Sequence, residues 1–121
     1  MNAGDSRLSD VMDFVLLSER LEGDMELLRD LAALYIKEYP VQLERLQSAV
    51  LSSDIPRIQR AAHKIKGTAT SFAAAPAVEL ARELVGANDF GDGTEISKMA
   101  GRLSDELRRL HFALEQFCSG S

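Results

Sequence analysis

The sequence has little of what staples, anchors or metallates a protein. Cysteine occurs once in 121 residues, at Cys118, so no disulfide can form within the chain. A lone thiol fits a reducing compartment and leaves open an intermolecular bridge or a small buried residue. Histidine occurs only at His63 and His111, too small a ligand pool for a metal or haem site inside a helical core. No run approaches the roughly 20 apolar residues of a membrane span. The polar start, Met1 to Ser6, lacks the basic residues and apolar stretch of a signal peptide, and a cytoplasmic protein without membrane contact is expected. Basic side chains are outnumbered 14 to 19, giving a net charge of −5, which weighs against binding the phosphates of nucleic acid. There is no Cys-x-x-Cys-His, no Glu-x-x-His pair, no glycine-rich phosphate loop and no Gly-x-Ser-x-Gly elbow, so ATP use and hydrolytic catalysis lose their usual machinery.

What is present is one domain's worth of helix. With 45% hydrophobic residues, a chain of this length buries roughly two thirds of its unfolded surface and needs no metal or disulfide. A single domain over residues 1–121 is expected, with tails at about 1–8 and 119–121. Apolar residues recur at threes and fours, the spacing of one helix face. Ser9 is a candidate cap for a first helix through Val11, Phe14, Val15, Leu17 and Leu21, which Gly23 stops. Phe14, Val15 and Leu17 read as core. Asp24 caps a second, with a stripe of Leu27, Leu28, Leu31, Leu34, Tyr35, Leu43, Leu46 and Val50. Pro40 should kink or break it, because its ring clashes with the Ile36 carbonyl. Asp54 caps a third helix from Ile55 with Pro56 in its first turn, burying Ile58, Ala62, Ile65, Ala69 and Phe72. Pro76 marks a boundary before a short helix from Ala77 to Ala87. After the Asn88 to Gly93 loop, a long helix carries Ile96, Met99, Ala100, Leu103, Leu107, Leu110, Leu114 and Phe117. The predicted fold is all-α, an antiparallel four-helix bundle with an additional N-terminal helix across one end.

The stretch Ala61 to Ala69 carries the chemistry. On a helix, His63, Lys66, Gly67 and Thr70 share a face, offset from the buried stripe. Gly67 costs ~1 kcal/mol relative to alanine in a helix, so something other than helix stability explains it. One turn beyond His63 it removes a side chain that would shield the imidazole. Lys66 places an ammonium where it disfavours imidazolium and attracts an anion arriving at the ring. An accessible imidazole with a nearby cation suits a phosphoryl acceptor, since that transfer depends on positioning and charge stabilisation. A solvated histidine beside lysine on an ordinary surface helix is the bland alternative.

Ala62-His63-Lys64-Ile65-Lys66-Gly67 resembles the Ala-His-x-Leu-Lys-Gly signature of histidine phosphotransfer (HPt) domains. The similarity extends through Glu79-Leu80 and Arg82-Glu83-Leu84, through Leu16 to Asp24, through Tyr39-Pro40, and to Asp54 before the histidine helix. The resemblance implies that His63 accepts the phosphoryl group, that Lys66 stabilises charge and that Gly67 gives clearance. Gln59, Arg60, Lys64 and Thr70 are the expected partner-contacting residues. The implied partners are receiver domains, whose aspartates exchange phosphoryl groups with the histidine, and hybrid sensor histidine kinases. The implied protein is a monomeric carrier, not an enzyme, with no cofactor of its own; the Mg²⁺ belongs to the receiver.

Two positions depart from the family pattern. Ala73-Ala74 stands where many members have Gly-Ala, so a more helical local path is expected. Val85 stands where several members have a Glu or Gln that bonds the inner imidazole nitrogen, so either a water, a backbone carbonyl or a more distant polar group orients the ring, or the ring stays loosely oriented. Val85 also gives weight to an alternative, a non-phosphorylated binding module that docks and regulates a kinase or response regulator. A purely structural bundle accounts for the core but leaves Gly67 unexplained. His111, near the apolar stripe of the last helix, reads as a boundary residue with no part in transfer.

Overall fold

A computed structural model describes residues 11–87 and 93–119. Among the described residues five helices of known bounds follow one another: α1 (Phe14–Arg20), α2 (Met25–Leu51), α3 (Ile55–Ser71), α4 (Ala75–Val85) and α5 (Thr94–Ser119). Helices α2 to α5 form the antiparallel bundle. Each packs on two neighbours, α2 on α3 and α5, and α4 on α3 and α5. Short connections enforce this arrangement, since a helix that reverses within three residues must lie beside its predecessor.

Asp13, Asp24 and Asp54 cap α1, α2 and α3, their carboxylates accepting from the amides of Leu16, Leu27 and Arg57. The cap of α1 is thus Asp13; the Ser9 cap lies outside the described residues, as do the tail at 1–8 and loop residues 88–92. At the other end, α5 runs through Ser119.

The same C-terminal device closes α1, α2 and α3. The amides of Gly23, Asp54 and Ala74 reach back to the carbonyls of Ser18, Ala49 and Ala69. The residue before each, Glu22, Ser53 or Ala73, takes a left-handed backbone with φ between 52° and 54°. Ala73 therefore does not prolong the helix, contrary to the sequence expectation. It makes the turn a glycine would make, because reversing toward α4 and closing the α3 carbonyls outweighs the Cβ penalty. Pro40 likewise lies inside an unbroken α2, where packing on both flanks outweighs one missing hydrogen bond. α4 spans Ala75–Val85, with Pro76 inside the first turn where its lost donor costs nothing.

The core has two parts. One, under α1, is aromatic: Tyr35 meets Phe72 edge-on at 5.6 Å, with Leu17, Leu28, Leu110 and Leu114 around them. Burial pushes the Tyr35 phenol above its usual pKa, with Tyr39 adding to the effect, and its hydroxyl donates to the Leu107 carbonyl. The other is aliphatic: Ile58, Ala62, Ile65, Leu84, Leu103 and Leu107. On α2 the buried line is Leu28, Ala32, Tyr35, Leu46 and Ala49, so Leu27 and Leu34, expected in the stripe, are exposed. Small alanines take the inner positions where helices approach closely. In α1, Leu17 is core and Phe14 half-buried, whereas Val15 is 67% exposed.

Candidate functional site

Helix α3 fixes the site by what it buries. Ile58, Ala62, Ile65 and Ala69 are sealed against α2, α4 and α5, so the register turns His63 outward, and it is exposed. Between Ile55 and Ser71 the helix carries Arg57, Arg60, Lys64 and Lys66 and no acidic residue, in a chain of net charge −5. None of the four pairs with a carboxylate among the described residues. Three arginines elsewhere are matched locally, Arg82 by Glu79, Arg108 by Asp105 and Arg109 by Glu106.

His63 lines an open groove of about 880 Å³ together with Arg45, Arg57, Gln59, Arg60, Lys64 and Val85. Three of the four expected partner-contacting residues, Gln59, Arg60 and Lys64, therefore line the same groove as His63. Thr70 is exposed but outside the groove, and its hydroxyl donates to the Lys66 carbonyl at 2.7 Å. Lys66 and Gly67 also lie outside the lining, continuing the helix face one turn past His63. Arg45 and Arg57 were not singled out from the sequence. Arg45 comes from α2 and no spacing within α3 could reveal it; Arg57 is visible in the run of unopposed cations along the histidine helix.

Gly67 is helical, and a Cβ built on it meets nothing within 4 Å. Close packing therefore does not explain the glycine. Its absent side chain leaves open space beside the turn carrying His63.

Gln59 ties α3 to the end of α4. Its Nε2 donates to the carbonyls of Val85 at 3.2 Å and Ala87 at 2.7 Å. The Val85 side chain borders the groove and offers no acceptor. His111, by contrast, is half-buried, stacked on Tyr39 at 4.3 Å between ring centroids, with Nδ1 3.4 Å from Glu115 Oε1. No cluster of three or more His, Cys, Asp or Glu side chains suited to a metal occurs among the described residues.

The family model of the Hpt domain matches residues 30–111, about two thirds of the chain. The chain belongs to the Hpt domain family, helical carrier modules that serve histidine phosphotransfer in two-component phosphorelays and interact there with receiver domains and kinases. Comparisons with curated proteins and with solved structures gave no significant match. No described helix is long and apolar enough to cross a membrane.

Proposed function

We propose that this chain accepts a phosphoryl group on His63 and passes it to or from the aspartates of receiver domains. The imidazole Nε2 lone pair attacks the phosphorus of an aspartyl phosphate. As the N–P bond forms, the P–O bond to the aspartate breaks and the carboxylate leaves with its electron pair; the reverse step returns the group. Lys66 offsets charge on the transferring oxygens, Gly67 lets the receiver come close, and Gln59, Arg60, Lys64 and Thr70 contact it. The carrier acts as a monomer in the cytoplasm without a cofactor, the receiver contributing its own Mg²⁺, and hybrid sensor kinases are partners as well. The observation that carries this reading is the open space at Gly67: a glycine that costs helix stability, one turn from an exposed histidine, where an added Cβ would meet nothing within 4 Å.

A regulatory module that docks without being phosphorylated is the competing reading. It is favoured by Val85, which leaves the ring without a side-chain acceptor from α4. Incubation of the chain with a panel of phosphorylated receivers, resolved on gels, separates the two. Label should appear on wild type and be absent from His63→Gln; binding without any label on wild type would establish the competing reading.

A further inference from the structure

An imidazole that attacks through Nε2 must keep that nitrogen unprotonated. In the neutral ring the proton then sits on Nδ1, and an acceptor must hold it there. Acceptors are scarce around His63. Of the groove's lining side chains, Arg45, Arg57, Arg60 and Lys64 only donate, while Pro56, Ala61 and Val85 carry no polar atom. Gln59 is the exception.

Its amide is set in one orientation. Both Nε2 hydrogens are engaged by the Val85 and Ala87 carbonyls, and flipping the group would press its oxygen against two other oxygens. The Oε1 atom makes no hydrogen bond among the described residues. It is also not one of the two buried unpaired side-chain atoms, Gln42 Oε1 and Glu106 Oε2, so it remains accessible on a half-buried side chain. Gln59 precedes His63 by four residues, the spacing at which helix side chains meet, and helical side chains lean toward the N-terminus, which tips the ring toward the turn that holds Gln59.

We propose that Gln59 is the positioning residue of His63: its amide oxygen accepts the Nδ1 proton, leaving the Nε2 lone pair for the partner. The structure contains no such bond; it forms when the exposed ring turns about its side-chain torsions toward the preceding turn. The main-chain carbonyls at the end of α4 take part indirectly, by holding the amide, so Val85 contributes backbone where its side chain contributes none. This assignment rests on the phosphotransfer reading of His63.

The test uses ¹⁵N-labelled full chain in alkaline buffer, with the ring neutral, where the two ring nitrogens report the tautomer directly. Wild type should be mainly the Nδ1–H tautomer, Gln59→Met should shift toward Nε2–H, and receiver transfer by Gln59→Met should slow about tenfold, the scale of lost ring-orienting partners. Gln59→Glu removes the tie to α4 but keeps an acceptor, so it should restore the Nδ1–H tautomer. Equal tautomer populations in wild type and Gln59→Met would overturn the proposal. So would a Gln59→Glu that behaves like Gln59→Met, which would mark the residue as a strut between helices. The tautomer is read without any partner, so a failure of phosphotransfer itself would show separately, as a correctly poised ring that receives no phosphate.

Discussion

His63 and His111 share a chain and a chemistry but not a setting. His63 stands exposed on α3 among unopposed cations and beside the empty space at Gly67. His111 lies flat on Tyr39 and faces Glu115, half-buried at the seam of α2 and α5. A histidine's role is fixed by what its neighbours leave free. Stacking and a carboxylate partner make His111 a packing element, whereas His63 keeps its ring available because α3 satisfies the core through Ala62 and Ile65.

The largest expected break in this comparison is in transfer. His63→Gln should lose receiver-dependent labelling entirely, while His111→Ala should transfer at the wild-type rate. Melting curves should show the converse: His111→Ala costs about 1 kcal/mol through the lost ring contact, and His63→Gln leaves stability nearly unchanged. Loss of transfer in folded His111→Ala would erase the distinction.

Gly67 sharpens it. Gly67→Ala should stabilise the domain by up to ~1 kcal/mol, since the added Cβ strikes nothing. Gly67→Gln should keep much of that gain and transfer far more slowly, because its side chain fills the approach to His63. Melting curves and transfer rates on the same preparations test both; a Gly67→Gln that transfers normally would remove the clearance argument.

Lys64 lines the groove and Lys66 lies one turn beyond the ring, so they should fail differently. Lys64→Ala should raise the receiver concentration needed for half-maximal transfer, and Lys66→Ala should lower the rate at saturation. Identical changes would mean that only total charge matters. The smallest effect is remote from the site: Ala73→Gly should stabilise by up to about 1 kcal/mol, because glycine takes the left-handed turn after α3 without the Cβ penalty. Thermal unfolding reads it directly, and transfer should not change.

The features legible in the sequence were local ones. The Asp54 cap, the buried stripe of α3 and the outward face of His63 all follow from residues within a turn or two of each other. Long-range packing decided the rest. Pro40 stays in an unbroken helix and Ala73 takes a left-handed turn because neighbours outweigh local preference. Leu27 and Leu34 are displaced from the core by Leu28, Ala32 and Tyr35, which a spacing of threes and fours cannot rank. At the site, Arg45 arrives from another helix, and the bonds from Gln59 to the Val85 and Ala87 carbonyls cross 26 and 28 residues of sequence. The family pattern drew attention to the Val85 side chain, while its backbone is what binds.

Of the two histidines, His63 is the one proposed to carry the phosphoryl group. After labelling by a phosphorylated receiver, the adduct should be acid-labile and base-stable, and fragmentation mass spectrometry should place it on His63, with ³¹P NMR identifying the Nε2 isomer. Phosphate on His111 or on a serine, or receiver binding that leaves His63 unmodified, would contradict the account.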